Sequence, residues 1–214
     1  MKARSIETRR GIRCRVFEAG SGAPLVFFHG AGGLLRDNPF LDDLARRHHV
    51  LAPEWPGYGE SDGEELLEDM LDFTLHGWDV VEALGLRRPH LIGHSMGGMI
   101  AAEMACLATG ALEKLALLAP AGIWIDAHPI PDLFSMLPFE LVAVLFADPK
   151  NGEKFLTGGI DFSNPDALTQ FMVGNARRLG TAGKILFPIP NRRVSKRLYR
   201  VTAKTLSSGA GRTS

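Results

Sequence analysis

Cysteine is scarce in this chain. Only Cys14 and Cys106 occur among 214 residues, and they stand far apart. Neither belongs to a C-x-x-C pair or to a Cys/His cluster with zinc spacing, so a disulfide framework and a cysteine-based metal site are both excluded. Cys106 falls among Ala101, Ala102, Ala105 and Ala108 and reads as a small apolar filler. Charge of one sign is also missing: 24 Lys and Arg cancel 24 Asp and Glu. The one basic stretch, Arg192 to Arg200, interleaves with Val194, Leu198 and Tyr199 and reads as a solvated helix face, not a nucleic-acid site. The seven histidines show no H-E-x-x-H or comparable spacing, so neither a metal nor a cofactor is expected. No basic segment leads into an apolar one at the start, and no apolar run is long enough to span a bilayer. The expectation is a soluble, cytoplasmic protein with no nucleic-acid or membrane partner. Nothing in the sequence specifies an oligomeric state.

What is present has the texture of one domain with a sizeable core. Ser5 to Arg9 and Ile12 to Glu18 flank a turn at Arg10-Gly11 and read as two short strands. Pro24 to Gly30, His49 to Ala52, His90 to Gly93 and Leu112 to Pro120 are short apolar runs of the kind that suits strands covered on both faces. Between them, Glu64 to Leu84 and Met96 to Thr109 carry helical patterns that end at Gly85 and Gly110. This alternation predicts an α/β fold, a mostly parallel, doubly wound sheet with helices on both faces. Past Gly122 the texture changes. Prolines punctuate apolar helical pieces at Leu133 to Phe146, Asp166 to Leu179 and Val194 to Arg200, and no strand of the earlier type is read there.

The stretch His90 to Ala105, HLIGHSMGGMIAAEMA, carries the chemistry. Gly93-His94-Ser95-Met96-Gly97 fits G-x-S-x-G, and it closes a strand and opens a helix. In that context a serine sits at a sharp, strained turn that lifts its hydroxyl out of the sheet. The free N–H groups of the helix start lie beneath it, and the Met96 N–H is aimed where an oxyanion would form. Gly30, Gly32 and their neighbours in His29-Gly30-Ala31-Gly32-Gly33 end an earlier strand. Three readings of that loop stay open: an oxyanion donor at the Ala31 N–H, a plain turn, or a phosphate cradle that lacks the usual Lys-Ser/Thr ending.

The segments FFHGAGG, PEWPGYGESD and LIGHSMGG occur in this order. They are similar to the oxyanion loop, the strand-4 loop and the nucleophile elbow of the α/β-hydrolase fold superfamily. The chain resembles that family from about Ile12 to Pro120, and more loosely beyond. The resemblance implies Ser95 as nucleophile and the amides of Ala31 and Met96 as the oxyanion hole. It divides the chain into a core over residues 1–122 with strands one to six, a helical cap over 123–200, and the start of strand seven with an aberrant tail over 201–214. Serine instead of aspartate at position 95 argues against haloalkane dehalogenases and epoxide hydrolases.

In that family the acid and then the histidine follow the nucleophile. Here His128 is the only histidine after Ser95, and Asp126 is the nearest acid beyond strand six. Neither fits the usual places, which lie after strands seven and eight. Arg200 to Leu206 resembles the approach to strand seven, but Ser207 to Ser214 has almost nothing to bury. A permitted codon set for that tail, with one base restored ahead of it, reads Val-Trp-Gly-Gly-Ala-Asp-Glu. A frame-shifted or mis-assembled reading of a longer gene is therefore expected, with the last strands missing and Leu115 to Leu118 left as an unpaired, aggregation-prone edge. The function expected is an impaired serine hydrolase acting on a small hydrophobic ester or similar acyl bond, with Phe134, Met136, Leu137, Phe139 and Phe146 as pocket lining or plain packing. A non-catalytic ligand-binding protein and a haloperoxidase-like member stand as alternatives.

Overall fold

The computed structural model describes residues 1–35, 37–136, 138–157 and 160–209. Seven strands form one sheet in the order β1-β2-β4-β3-β5-β6-β7. They are β1 Lys2–Glu7, β2 Arg13–Ala19, β3 Pro24–Phe28, β4 His49–Pro53, β5 His90–His94, β6 Lys114–Leu118 and β7 Lys204–Ser208. The pairs β1–β2 and β2–β4 are antiparallel; the other four are parallel.

Successive side chains on a strand point to opposite faces, so the apolar runs serve two cores at once. Val26 and Phe28 enter one core with Leu51, Leu91, Leu115 and Leu117. Leu25 and Phe27 of the same strand enter the other, with Val50, Ala52 and Ile92. Helices α2 (Met70–Ala83) and α3 (Met96–Leu107) cover the first face through Phe73, Val80, Ile100 and Met104. The short helix α1 (Pro39–Leu44) covers part of the second through Leu41. The sequence pattern did not announce α1, although its start signal is there: Asn38 caps it by accepting from the Leu41 N–H at 3.3 Å, and Pro39 follows as the first helical residue.

Three expectations change in detail. The helix read over Glu64 to Leu84 is split into a 3-10 turn at Glu64–Leu66 and α2. Asp69 makes the break by accepting from the Leu71 and Asp72 N–H groups at 2.8 and 3.1 Å. Beyond Gly122 the helices are α4 Pro138–Leu145, α5 Pro149–Thr157 and α6 Pro165–Leu186, and Val194 to Arg200 forms two 3-10 turns instead of a helix. The expected open edge at β6 is overturned. β7 pairs with it in parallel from Lys114↔Lys204 to Leu118↔Ser208, so β6 is an interior strand. A ladder is made of main-chain groups, and polar Lys-Thr-Leu-Ser-Ser can supply them with every side chain exposed. Of the tail, residues 210–214 lie outside the described residues.

The segment after β6 is tied to the core by charged side chains. Arg177 on α6 grips Glu64 with Nε and Nη2 at 2.5 and 2.7 Å, and Lys184 donates to the carbonyls of Glu64 and Leu67. Arg197 forms a two-pronged pair with the buried Glu103 of α3. No helix among the described residues is long and apolar enough to cross a membrane.

Candidate active site

Ser95 stands between β5 and α3 with φ 52° and ψ −114°. A non-glycine residue there is strained, and the conformation persists only if its surroundings over-determine it. They do. The Ser95 N–H donates to the Leu118 carbonyl at 2.9 Å, and the Ser95 carbonyl accepts from the N–H groups of Met99 and Ala121, both at 3.0 Å. The turn is thus pinned to the exit of β6 on one side and to the first turn of α3 on the other.

The glycines of the motif are steric requirements. A Cβ at Gly93 would lie 2.5 Å from the Gly97 carbonyl oxygen and 2.7 Å from Gly98 Cα. One at Gly98 would lie 2.9 Å from Pro120 Cβ, and one at Gly97 would strike the Phe28 carbonyl and come within 2.6 Å of the His29 oxygen. The start of α3 therefore rests on the end of β3. That contact brings the glycine loop to the serine: a Cβ at Gly30 would be 3.0 Å from both Ser95 Cβ and His94 Nδ1.

His29 sets the loop's orientation. It is buried, it accepts the Trp55 N–H on Nε2 at 3.1 Å, and its Nδ1 lies 2.7 Å from the Gly30 carbonyl. One nitrogen must accept and the other must donate, so the proton sits on Nδ1. Gly30 O also accepts from the Gly33 N–H at 3.0 Å. In a trans peptide the C=O and the following N–H point opposite ways. Fixing the Gly30 carbonyl on the His29 side turns the Ala31 N–H away from that ring. Neither the Ala31 nor the Met96 N–H has a hydrogen-bond partner among the described residues. Gly32 adds no constraint of space, since a Cβ there meets nothing within 4 Å.

Burial pushes the His29 pKa down from 6.5 to about 4, and the same cause takes His76 on α2 to about 4. His76 Nε2 faces the Cys14 sulfur at 3.6 Å, and burial pushes that thiol up to about 12, so this is a neutral pair. Both imidazoles are neutral in the fold and charge more readily when the chain unfolds. Their stabilisation is complete above the unfolded pKa of 6.5 and is lost as the pH falls towards 4. Between pH 7 and pH 5 each histidine is expected to cost about 2 kcal/mol. Urea titrations at the two pH values check this, and His76→Leu is expected to make the pH slope shallower.

No described imidazole or carboxylate hydrogen-bonds the Ser95 hydroxyl. Asp126 is exposed and accepts from the Trp124 indole at 2.9 Å, and His128 is exposed, its N–H on the Ile125 carbonyl. His94 is exposed, with its ring over Gly30. Of the apolar residues considered for a pocket, Phe134 packs on the first core and edge-on against Phe187, which is the packing alternative. Leu137 and the Phe139 side chain lie outside the described residues.

Two residues that the sequence did not single out sit over the loop. Tyr58, in the loop after β4, is buried against His29 and donates to the Arg178 carbonyl at 3.3 Å. Arg178 on α6 reaches down to the Gly32 carbonyl, also at 3.3 Å. The only hint was the doublet Arg177-Arg178, which does not say which arginine turns inward. Among the described residues no group of three or more His, Cys, Asp or Glu is placed to hold a metal.

The sequence pattern of the α/β hydrolase fold family matches residues 23–201. The chain is 38% identical over 117 residues to the dihydrolipoyllysine-residue acetyltransferase component of the acetoin cleaving system of Cupriavidus necator, covering 52% of this chain and 30% of that protein. It is 30% identical over 118 residues to the 2-hydroxymuconate semialdehyde hydrolase of Pseudomonas sp., covering 53% of this chain and 42% of the relative. The match thus spans less than half the length of these two relatives. With the 2-hydroxy-6-oxo-6-phenylhexa-2,4-dienoate hydrolase of Comamonas testosteroni it is 29% identical, with 88% of this chain and 71% of the relative covered. Among solved structures, a bacterial membrane phospholipase A superposes with a TM-score of 0.71 at 23% identity, over 98% of this chain and 69% of that one. At these identities the structural likeness shows the fold.

Proposed function

The chain belongs to the α/β hydrolase fold family, and from that premise we propose that it carries a serine hydrolase site for an ester or similar acyl bond. The observation that carries this reading is the strained Ser95 turn pressed against Gly30; the residues that follow these two in the chain, Met96 and Ala31, have main-chain N–H groups without a partner among the described residues, which supports it. Ser95 Oγ attacks the acyl carbonyl, the alcohol leaves, and water releases the acid from the acyl-enzyme. The Ala31 and Met96 amides take the charge of the tetrahedral oxygen, and fixed donors of this kind are worth about 10²–10³ in rate each. The glycines at 30, 93 and 97 allow the approach. Residues 1–122 act as the core and 123–200 as a helical cap, with α6 lying over the loop through Arg178. The relatives named as hydrolases support hydrolysis as the reaction class.

No imidazole among the described residues reaches Ser95, so turnover by this chain is expected to be weak; oxyanion hole and binding alone still leave roughly 10³–10⁴ over water. A fluorophosphonate is the direct test. It is expected to add slowly to Ser95 over prolonged exposure, seen by mass spectrometry of the peptide, and to leave Ser95→Ala unlabelled. A chain that takes no label, or labels equally without Ser95, overturns the reading.

A further inference from the structure

Two neighbouring arginines on α6 are used in opposite ways. Arg177 has a full set of partners: both Glu64 oxygens, the Ser61 carbonyl at 3.0 Å and, further off, Asp62 at 3.8 Å. It holds the helix to the core. Arg178 has the Gly32 carbonyl at 3.3 Å and the Asn175 side-chain oxygen at 3.4 Å, both near the outer limit of a hydrogen bond. Among the described residues no carboxylate lies within ion-pair distance of it.

That is an unusual state for a half-buried guanidinium. A cation taken from water and left without an anion is costly, and such groups are normally paired. The surroundings are dry enough for burial to lower its pKa. It presents five N–H donors in a planar fork, and the two long contacts leave most of them open. Such a fork matches the two oxygens of a carboxylate better than any neutral group.

Its position ties it to the serine. Arg178 lies on Gly32 and touches Gly33, where a Cβ would be 3.8 Å from its Cδ. Gly30 to Gly33 is a single turn closed by the Gly33 N–H, and the far end of that turn, Gly30, packs on Ser95. A turn spans under about 7 Å. The guanidinium therefore stands one turn away from the attacking hydroxyl, over the same loop that offers the Ala31 N–H.

We propose that Arg178 is a specificity residue that anchors a carboxylate of the substrate, so that the Ser95 site acts on acyl compounds carrying an acid group a few methylenes from the reacting carbonyl. This rests on the hydrolase reading for the reaction, but the anchor itself is a binding property and is measured without turnover.

The test uses the full chain with Ser95→Ala, which binds esters without cleaving them. Monomethyl glutarate and dimethyl glutarate are compared by calorimetry. The half-ester is expected to bind at least about tenfold more tightly, and Arg178→Gln to bring the ratio to about one by weakening the half-ester alone. A residue that only strutted the cap would weaken both ligands or neither. Should Arg178→Gln melt early, phenylglyoxal gives a second measurement on the unsubstituted chain: the half-ester is expected to shield Arg178 from modification, and the diester is not. A half-ester that binds no better than the diester, or that fails to shield Arg178, overturns the proposal. Fluorophosphonate labelling of Ser95 is read separately. Labelling without carboxylate preference removes the anchor alone, and preference without labelling removes the reaction alone.

Discussion

Replacing Gly97 with alanine is expected to destabilise the protein by about 3 kcal/mol or more, although the same change in a free helix would stabilise it by about 1 kcal/mol. The sign reverses because of what the new methyl would meet. Gly97 sits in the first turn of α3, where its Cα faces the end of β3. A Cβ there would lie within 2.6 Å of the His29 carbonyl oxygen and strike that of Phe28 as well. Both are backbone atoms, and neither can rotate aside. Either α3 lifts from the sheet or the glycine loop moves, and both shifts disturb the approach of Gly30 to Ser95. Denaturant titration is expected to show the loss of stability, and labelling of Ser95 is expected to fall with it. Gly174 and Gly180 on α6 serve as the control, since a Cβ at either meets nothing within 4 Å. Alanine at those positions is expected to stabilise by about 0.5–1 kcal/mol. A Gly97→Ala chain as stable as the unsubstituted one means that α3 does not rest on β3 as described.

Arg15→Met is expected to cost about 3–5 kcal/mol at neutral pH, because it strands a buried carboxylate. Glu54 lies at the end of the β4 run with its side chain 6% exposed, and the Arg15 Nε and Nη2 groups hold its two oxygens at 2.7 and 2.9 Å. Without the guanidinium its remaining side-chain partner is the Glu60 N–H at 3.3 Å. Joining Glu54→Leu to Arg15→Met removes the stranded charge and is expected to recover a large part of the loss, as happens when both members of a buried pair are replaced by apolar groups. A double variant no more stable than Arg15→Met places the cost elsewhere, for instance in the contact between the Arg15 guanidinium and the Phe17 ring at 4.9 Å. The effect bears on the site as well. The Glu54 loop carries Trp55, whose N–H is held by His29, and Tyr58, which bonds the Arg178 carbonyl.

The parts of this protein that could be read in advance depend on neighbours in the chain. Apolar runs such as Pro24 to Phe28 announce strands buried on both faces, because each residue faces one of two cores. The pattern Gly93 to Gly97 announces a tight strand-to-helix turn, because only glycine leaves room where a helix start meets the strand it follows. Helix breaks were harder. Asp69 and Asn38 carry the chemistry of caps, but aspartate and asparagine are equally at home in loops, and only the chain path shows which N–H groups they receive.

By itself the sequence determined the alternation of β3 to β6 with α2 and α3, the place of the Ser95 turn and the family, since all three are written in local spacing and in motifs met in order. Only the tertiary structure decided that β7 pairs with β6, that His29 is neutral with its proton on Nδ1, that Arg177 is spent on Glu64 and Arg178 is not, and that the Gly30 loop lies against Ser95. The physical reason is the same in each case. A main-chain ladder, a proton position and a free charge are all set by groups distant in sequence, and side-chain type alone carries no record of which distant group it will meet.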